Sequence, residues 1–386
     1  MKLERILIVG GGIGGLSVAI ALRAVGFQVE VLEQAQTLRE VGAGVGLWSN
    51  AMASLDQLGA GAAVRRTCTP LRMVAGLNAE GATITAMNLD QLGPEFADAA
   101  CFIALRPALL AALAERIPKE CVRTEQRVAR VEPREEAVRV HFADGHAEEA
   151  DLLIGADGLH SVVRELVAGP DAIRYSGQTC FRGVARVATQ TAALCEIQGR
   201  GQRGAVCPVD GETVYWWTAH NSPEGQLYTQ EARRSFLLDR YRGWPQGLAE
   251  AIAATPAEAI LQNDLVDRPP TKRYARGRVV LVGDAAHPTT PNLGQGANMA
   301  IDDAIVLARA LRDENSVEAA FDRYRRERLS RTRKIVERSW SFGRMCCWDS
   351  AVAVRLREAL LRATPRRVMR DALRWQILEG VGALTS

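Results

Sequence analysis

Apolar positions occur along the chain in two patterns, short unbroken runs and stripes at helical spacing, and these alternate as a doubly wound sheet requires. Residues 5–9, Arg-Ile-Leu-Ile-Val, form a continuous run bounded by glycine, the pattern of a strand buried on both faces. Ile13, Leu16, Ala19, Ile20 and Ala24 then recur at helical spacing, and Gly26 sits where a helix terminates. Residues 27–32 give a second strand ending in Glu33, so the first 33 residues predict one βαβ unit.

Further along, Leu109, Leu110, Leu113 and Ile117 mark a helix over 106–117. Residues 138–142 alternate like a strand closed by the turn Asp144-Gly145, and 151–154 is again a buried-strand run. From about Tyr175 to about Pro270 the pattern changes to short β-like stretches with Trp216, Trp217, prolines and an Asn221-Ser-Pro223 turn, which predicts an inserted antiparallel sheet. Residues 278–282 give a third buried strand, followed by a glycine-rich loop and a helix carrying Ile301, Ile305, Ala308 and Leu311. The sheet begun at the N-terminus is therefore completed late. Beyond about Ser339 the pattern is helical and amphipathic, interrupted at Pro365; such a tail can pack on the protein or lie on a lipid surface, and packing is the expected arrangement.

Composition narrows the classes. With 47% apolar and 24% charged residues and 34 glycines among 386, the chain is an ordinary globular one, not disordered or fibrous. A formal charge of +3 gives no general attraction to nucleic acid. Residues 323–334 carry seven basic side chains on a predicted helix, but Asp322, Glu327 and Glu337 are interleaved, which reads as a solvated face. The eight cysteines contain no C-x-x-C pair, which points to a reducing compartment and a cytoplasmic location. No apolar run is long enough to span a membrane, and the N-terminus lacks a charged leader and an A-x-A site, so neither spanning nor secretion is expected. Five scattered histidines predict no metal site.

Gly10-Gly-Gly12-Ile-Gly14-Gly15 is a G-x-G-x-x-G between a predicted strand and helix. The first glycine makes the tight turn, the second lets a pyrophosphate approach the backbone on the helix N-terminus, and the third lets helix and strand pack closely. Glu33, eighteen residues after Gly15, is placed to accept from a ribose diol and would repel a 2′-phosphate, so FAD or NAD is expected over NADP at this position. Two more motifs follow buried strands: Asp151-Leu-Leu-Ile-Gly-Ala-Asp157-Gly158-Leu-His160-Ser-Val-Val-Arg164, and Gly283-Asp284-Ala-Ala-His287-Pro288 with Pro291-Asn292-Leu293-Gly294-Gln295-Gly296.

With these three motifs in this order, the chain resembles the group A flavoprotein monooxygenases, the family of para-hydroxybenzoate and salicylate hydroxylases, flavin-dependent urate hydroxylase and zeaxanthin epoxidase. Arg39-x-x-Gly42-Ala-Gly-Val resembles the family segment that runs past the flavin. The resemblance implies that Asp284 binds the ribityl chain of FAD and that Asp157-Gly158 serves both FAD and reduced nicotinamide. Arg106 would reach the cofactor's ribose and phosphate region, with an exposed helix-start residue as the alternative. A helix starting near Gly296 would direct its amides at the negative N1 and C2 carbonyl of reduced flavin. Asn292, Leu293, Gly294 and Gln295 are thus expected to contact the isoalloxazine, with Pro288 and Pro291 setting the loop's direction. His160 and His287 are expected to serve their turns through local backbone hydrogen bonds. Arg203 and Tyr215 fall at positions resembling a family pair that contacts substrate, while the residues alone equally allow a strand-face arginine and a core tyrosine. Arg182 resembles a family Trp-Arg-Gly stretch with phenylalanine in place of tryptophan.

The implied architecture is α/β: a doubly wound FAD-binding domain from 1–70, 101–174 and 273–338, an inserted mixed or antiparallel β-sheet substrate domain from 71–100 and 175–272, and C-terminal helices from 339–386. The implied activity is hydroxylation of an electron-rich aromatic or heteroaromatic small molecule through a C4a-hydroperoxyflavin, consuming NADH or NADPH and O2. Epoxidation of an isoprenoid or quinolone-type substrate, a flavin dehydrogenase or oxidase, and a non-catalytic FAD-binding protein are the alternatives. A single fingerprint leaves reduced nicotinamide to dock transiently. No nucleic acid is expected as partner, and the chain is expected to be a monomer or homodimer.

Overall fold

The computed structural model describes residues 3–38, 44–96, 100–188, 192–378 and 382–384. Its central sheet has six strands in the order Ala275–Arg276, Val279–Leu281, Leu152–Gly155, Ile6–Val9, Val29–Leu32, Val122–Arg123. The last five run parallel, and the edge strand Ala275–Arg276 pairs antiparallel. Ile6 lies between Leu152 and Val29, and Ile6, Leu7 and Ile8 are all fully buried. That is why residues 5–9 read as an unbroken apolar run: one core holds these strands together with Leu16 and Ala19 of the helix Ile13–Ala24 and Ile301 and Ile305 of the helix Gly296–Asp313. Because the strands are parallel, the segments after Val9, Leu32, Gly155 and Leu281 all emerge along one edge.

The region of changed pattern, joined by two strands from residues 73–88, forms a seven-stranded sheet, ordered Leu261–Asp267, Arg174–Arg186, Thr213–Asn221, Gln202–Pro208, Ala193–Gln198, Met73–Asn78, Thr83–Asn88. Its neighbours are antiparallel apart from the parallel pair Ala193–Gln198 and Met73–Asn78. Strand alternation gives its two faces different work. One buries Phe181, Ile197 and Trp216 against Leu237, Leu248 and Ile252 of the helices Gln230–Arg240 and Leu248–Ala253. The other presents Ala205, Cys207, Tyr215 and Trp217 toward Trp48 and Ile103 of a small sheet formed by Gly44–Trp48, Cys101–Leu105 and Thr69–Pro70. The expected strand at 138–142 is there, in a three-stranded meander whose Asp144-Gly145 turn requires the positive φ of Gly145, 95°.

Two features of the C-terminal third differ from the sequence pattern. The helix Val317–Cys346 runs unbroken across position 339, and the chain turns only before Ala351–Ala363 and again before Arg366–Leu378. Nor is the basic stretch 323–334 wholly solvated: Arg328 and Arg331 are buried, because this helix lies between the core and the tail. Arg328 bonds to Asp303, and Arg331 donates to the carbonyls of Trp375 and Gln376. The tail packs on the protein as expected, with Ser49 Oγ donating to Ile377 O at 2.7 Å and Gln376 Nε2 to Leu293 O at 2.9 Å. Among the described residues no helix is long and apolar enough to cross a membrane, and all eight cysteines are free.

Arg357 anchors the helix Ala351–Ala363 unusually. It is fully buried, its Nη2 donates to Gly199 O at 3.0 Å, and its Nε and Nη1 have no partner. Burial lowers its pKa from the ordinary arginine value. A desolvated cation this poorly paired is worth less than an apolar side chain of similar length. Arg357→Met is therefore expected to raise the melting temperature by several degrees; a lower value in differential scanning calorimetry would show that the Gly199 bond outweighs the desolvation.

Candidate active site

The ends of four parallel strands bring the sequence motifs together. Gly10 adopts φ 104°, and a Cβ there would lie 2.5 Å from the Ala156 carbonyl oxygen, so the first motif packs directly on the second. A Cβ on Gly15 would overlap the Gly10 carbonyl oxygen outright, and one on Gly14 would meet Ala300 of the helix that follows the third motif. Gly12 is the N-cap of Ile13–Ala24 and Gln295 that of Gly296–Asp313; neither helix has a side chain capping its amides. Two open helix N-termini with their positive dipole ends thus face one glycine-lined crevice. Glu33 is held at its mouth, accepting from Gly11 N at 2.7 Å and Ala35 N at 2.8 Å.

Asp157 proves to be a local cap: its carboxylate accepts from Ser161 Oγ at 2.5 Å and from the amides of Val162 and Val163 at the start of the helix Val162–Ala168. Burial pushes its pKa up against these bonds. Gly158 provides the positive φ, 75°, of the turn. Arg164, which the pattern did not single out, ties this motif to the third by donating to the carbonyls of Ala285 and Ala286, both at 2.8 Å, while pairing with Asp171. Arg106 opens the helix Arg106–Ala114, partly exposed. Arg39 lies outside the described residues.

Asp284 is exposed after Gly283, whose φ is 55°. Beneath it lies a buried ionic cluster that the sequence reading missed. His287 does not bond its local backbone: its Nε2 sits 2.7 Å from Asp303 Oδ2. The same oxygen accepts from Gly283 N at 2.8 Å, and Asp303 Oδ1 accepts from Arg328 Nε at 2.6 Å. Burial pushes the Asp303 carboxyl up, but His287, Arg328 and the Gly283 amide together hold it below the ordinary carboxylate range. The signal was present in the sequence, because Asp302 and Asp303 interrupt a helical stripe that is otherwise core. His160 is exposed.

Asn292 links the loop 291–296 to the large sheet. Asn292 Nδ2 donates to Thr290 Oγ1 at 2.9 Å and Ser339 O at 2.8 Å, and its Oδ1 accepts from Arg203. Arg203 is 2% exposed, lies over the Trp217 ring at 5.3 Å and is 3.5 Å from Glu196; its Nε has no partner. Strand register places Arg203, Trp217 and Tyr215 on the same sheet face. Tyr215 is half-buried with its ring against Gly44, where a Cβ would strike the ring, and burial pushes its phenol pKa well up. Trp216, by contrast, is core. Arg182 Nη2 donates to Asn263 Oδ1 at 2.5 Å. Gly294 takes φ 60°, Pro291 is exposed, Pro288 is buried, and Leu293 gives its carbonyl to Gln376. Gln295 is 1% exposed with its Nε2 unpaired. Glycines without room for a Cβ, uncapped amides and this buried orphan donor suit an anionic dinucleotide carrying a flat acceptor-rich ring. No group of metal-binding side chains occurs among the described residues.

A doubly wound sheet with a nucleotide crevice at its carboxyl edge, roofed by a second sheet, defines a dinucleotide-dependent enzyme class. The chain belongs to the FAD-binding-domain family, whose model matches residues 4–339. It is 37% identical over 359 residues to the aurachin C monooxygenase/isomerase of Stigmatella aurantiaca, covering 92% of this chain and 93% of that one. It is 31% identical over 335 residues to an FAD-dependent urate hydroxylase of Klebsiella pneumoniae, covering 86% and 87%. Among solved structures, Klebsiella pneumoniae HpxO complexed with FAD and uric acid is similar with a TM-score of 0.90 at 28% identity, covering 98% of this chain and 97% of that one. The chain is thus an FAD-dependent monooxygenase, and FAD is its cofactor.

Proposed function

We propose that this enzyme uses NADH or NADPH and O2 to hydroxylate an electron-rich aromatic or heteroaromatic small molecule. The observation that carries the reading is Arg203: a buried guanidinium bonded to the loop 291–296, stacked on Trp217 and sharing its sheet face with Tyr215. A flat ring bearing a carbonyl, phenolate or enolate oxygen suits this wall, since a guanidinium both stacks and donates in plane.

Bound FAD would supply the redox chemistry, hydride acceptance from reduced nicotinamide and transfer of one atom of O2 to the substrate with the other leaving as water. The chain's own groups do the rest. Gly10, Gly12, Gly14 and Gly15 leave room for the pyrophosphate at the helix N-terminus, and Glu33 accepts from the ribose. Arg106 reaches the phosphate and ribose region, Asp284 holds the ribityl chain, and Asp157-Gly158 shapes the crevice between them while capping its own helix. Gly283, Asn292, Leu293, Gly294, Gln295 and Gly296 present main-chain groups to the flavin ring, and the helix dipole behind Gly296 favours its reduced, negative form. Pro291 borders the chamber, Arg203 and Tyr215 orient the substrate, and the aromatic wall of Trp48, Tyr215 and Trp217 keeps water out. Eight free thiols fit a reducing, cytoplasmic setting.

The test is a panel of phenols, purines and quinolones scored for stimulated NAD(P)H oxidation, with product mass spectra. A gain of one oxygen by a ring carbon is the expected result. Conversion of an isolated alkene to an epoxide would favour the alternative reading, and oxidation without O2 would defeat both. With the accepted substrate, Arg203→Met is expected to raise KM and to cut kcat/KM by about 10²-fold, the loss of one charge-assisted, stacked contact. An unchanged kcat/KM would remove Arg203 from the substrate site.

A further inference from the structure

The C-terminal helices expose apolar side chains that nothing among the described residues covers. Val352 is 78% exposed and Leu356 and Leu360 are each 53% exposed; they stand at i, i+4 and i+8 on Ala351–Ala363, a single row along the helix. Val368, 54% exposed, follows in the first turn of Arg366–Leu378. The opposite side of Ala351–Ala363 is fixed to the protein by Val354 and Arg357. The row is therefore the outward face of a docked helix.

The charges around the row are predominantly positive. Exposed arginines at 355, 362, 366, 367 and 370 flank it, and the carboxylates between 351 and 378 are Glu358, which pairs with Arg362 at 3.1 Å, and Asp371, which pairs with Arg367 and Arg370. The whole chain is nearly neutral, so this is a local concentration. A row of leucine and valine edged by arginines is the pattern of a helix lying in the plane of a lipid headgroup layer, with apolar side chains below and guanidinium groups level with the phosphates. A second copy laid on the same face would set these arginines against one another.

We propose that this face seats the enzyme on an anionic lipid bilayer, without spanning it. The proposal is independent of which substrate the enzyme takes. The experiment is co-sedimentation of the FAD-loaded enzyme with vesicles of phosphatidylcholine alone or mixed with phosphatidylglycerol, at low salt and at high salt, with sedimentation velocity run in parallel. Binding is expected to be at least about tenfold stronger to the phosphatidylglycerol vesicles and to weaken with salt, as screened charges require. Leu356→Glu with Leu360→Glu should abolish it, and Arg366→Glu with Arg367→Glu should remove the lipid preference, both with flavin content unchanged because these side chains face outward. Failure of the wild-type enzyme to bind either vesicle overturns the proposal, as does undiminished binding of the leucine variant. A concentration-dependent dimer that the leucine variant dissolves, with no vesicle binding, would assign the face to self-association instead.

Discussion

Gly15→Ala is expected to be isolated with less than about a tenth of the wild-type flavin, because a Cβ at this position overlaps the Gly10 carbonyl oxygen and the crevice can accept it only by moving the helix Ile13–Ala24 off the strand Ile6–Val9. That movement withdraws the uncapped amides of Ile13–Ala24 from the pyrophosphate position. Its consequences are separable from general unfolding, because the seven-stranded sheet has its own core around Trp216 and should retain its near-ultraviolet signature. Asp284→Ala tests the other wall of the same crevice. It removes an exposed carboxylate and is expected to fold normally yet purify largely colourless. Visible absorbance per polypeptide measures both variants, and full flavin content in either would dismantle the cradle assigned here.

What the sequence disclosed and what it withheld divide along physical lines. Buried parallel strands such as 5–9 and 151–154 were legible because both of their faces are covered, which leaves an unbroken apolar run. The glycine fingerprint was legible because backbone contact tolerates no side chain at Gly10 and Gly15. The hairpin Met73–Asn78 and Thr83–Asn88 joins the large sheet through a parallel pairing with Ala193–Gln198, more than a hundred residues away, which local pattern does not encode. The same holds for side chains whose partners are distant in sequence. Asp157, beside the fingerprint, caps its own helix through partners the motif alone does not reveal, Arg164 ties that motif to the third, and Arg328, expected on a solvated face, is an internal strut. Arg203 reads in the sequence equally as a strand-face residue, because its partner Asn292 lies 89 positions further along the chain.

The buried cluster under the third motif yields the other large effect. Asp303→Asn keeps the shape of the side chain but removes the carboxylate 2.6 Å from the Arg328 guanidinium, 2% exposed, leaving it only the Asp302 carboxylate at 4.0 Å, and it weakens the anchor on Gly283 and His287. Breaking a buried pair in this way costs about 3–5 kcal/mol, enough to lower the melting temperature substantially and to loosen the turn that carries Asp284. The pH dependence follows from the same geometry. The Asp303 carboxyl is held below its ordinary range in the folded protein, so near pH 4 and below the unfolded chain binds more protons than the folded one. The contribution is complete above the ordinary aspartate value of about 4 and disappears as the pH falls through it toward the folded value. Its neighbour Asp302, whose pKa burial raises despite Arg328, Asn50 and Ser54, opposes this slope. Thermal unfolding of wild type and Asp303→Asn between pH 7 and pH 3 should therefore show a large difference at neutral pH that narrows as the solution becomes acid. A double-mutant cycle with Arg328→Met should return a coupling of at least about 1 kcal/mol at neutral pH, because removing the cation relieves the charge that Asp303→Asn strands. Parallel melting curves across the whole range would show instead that the cluster contributes packing alone.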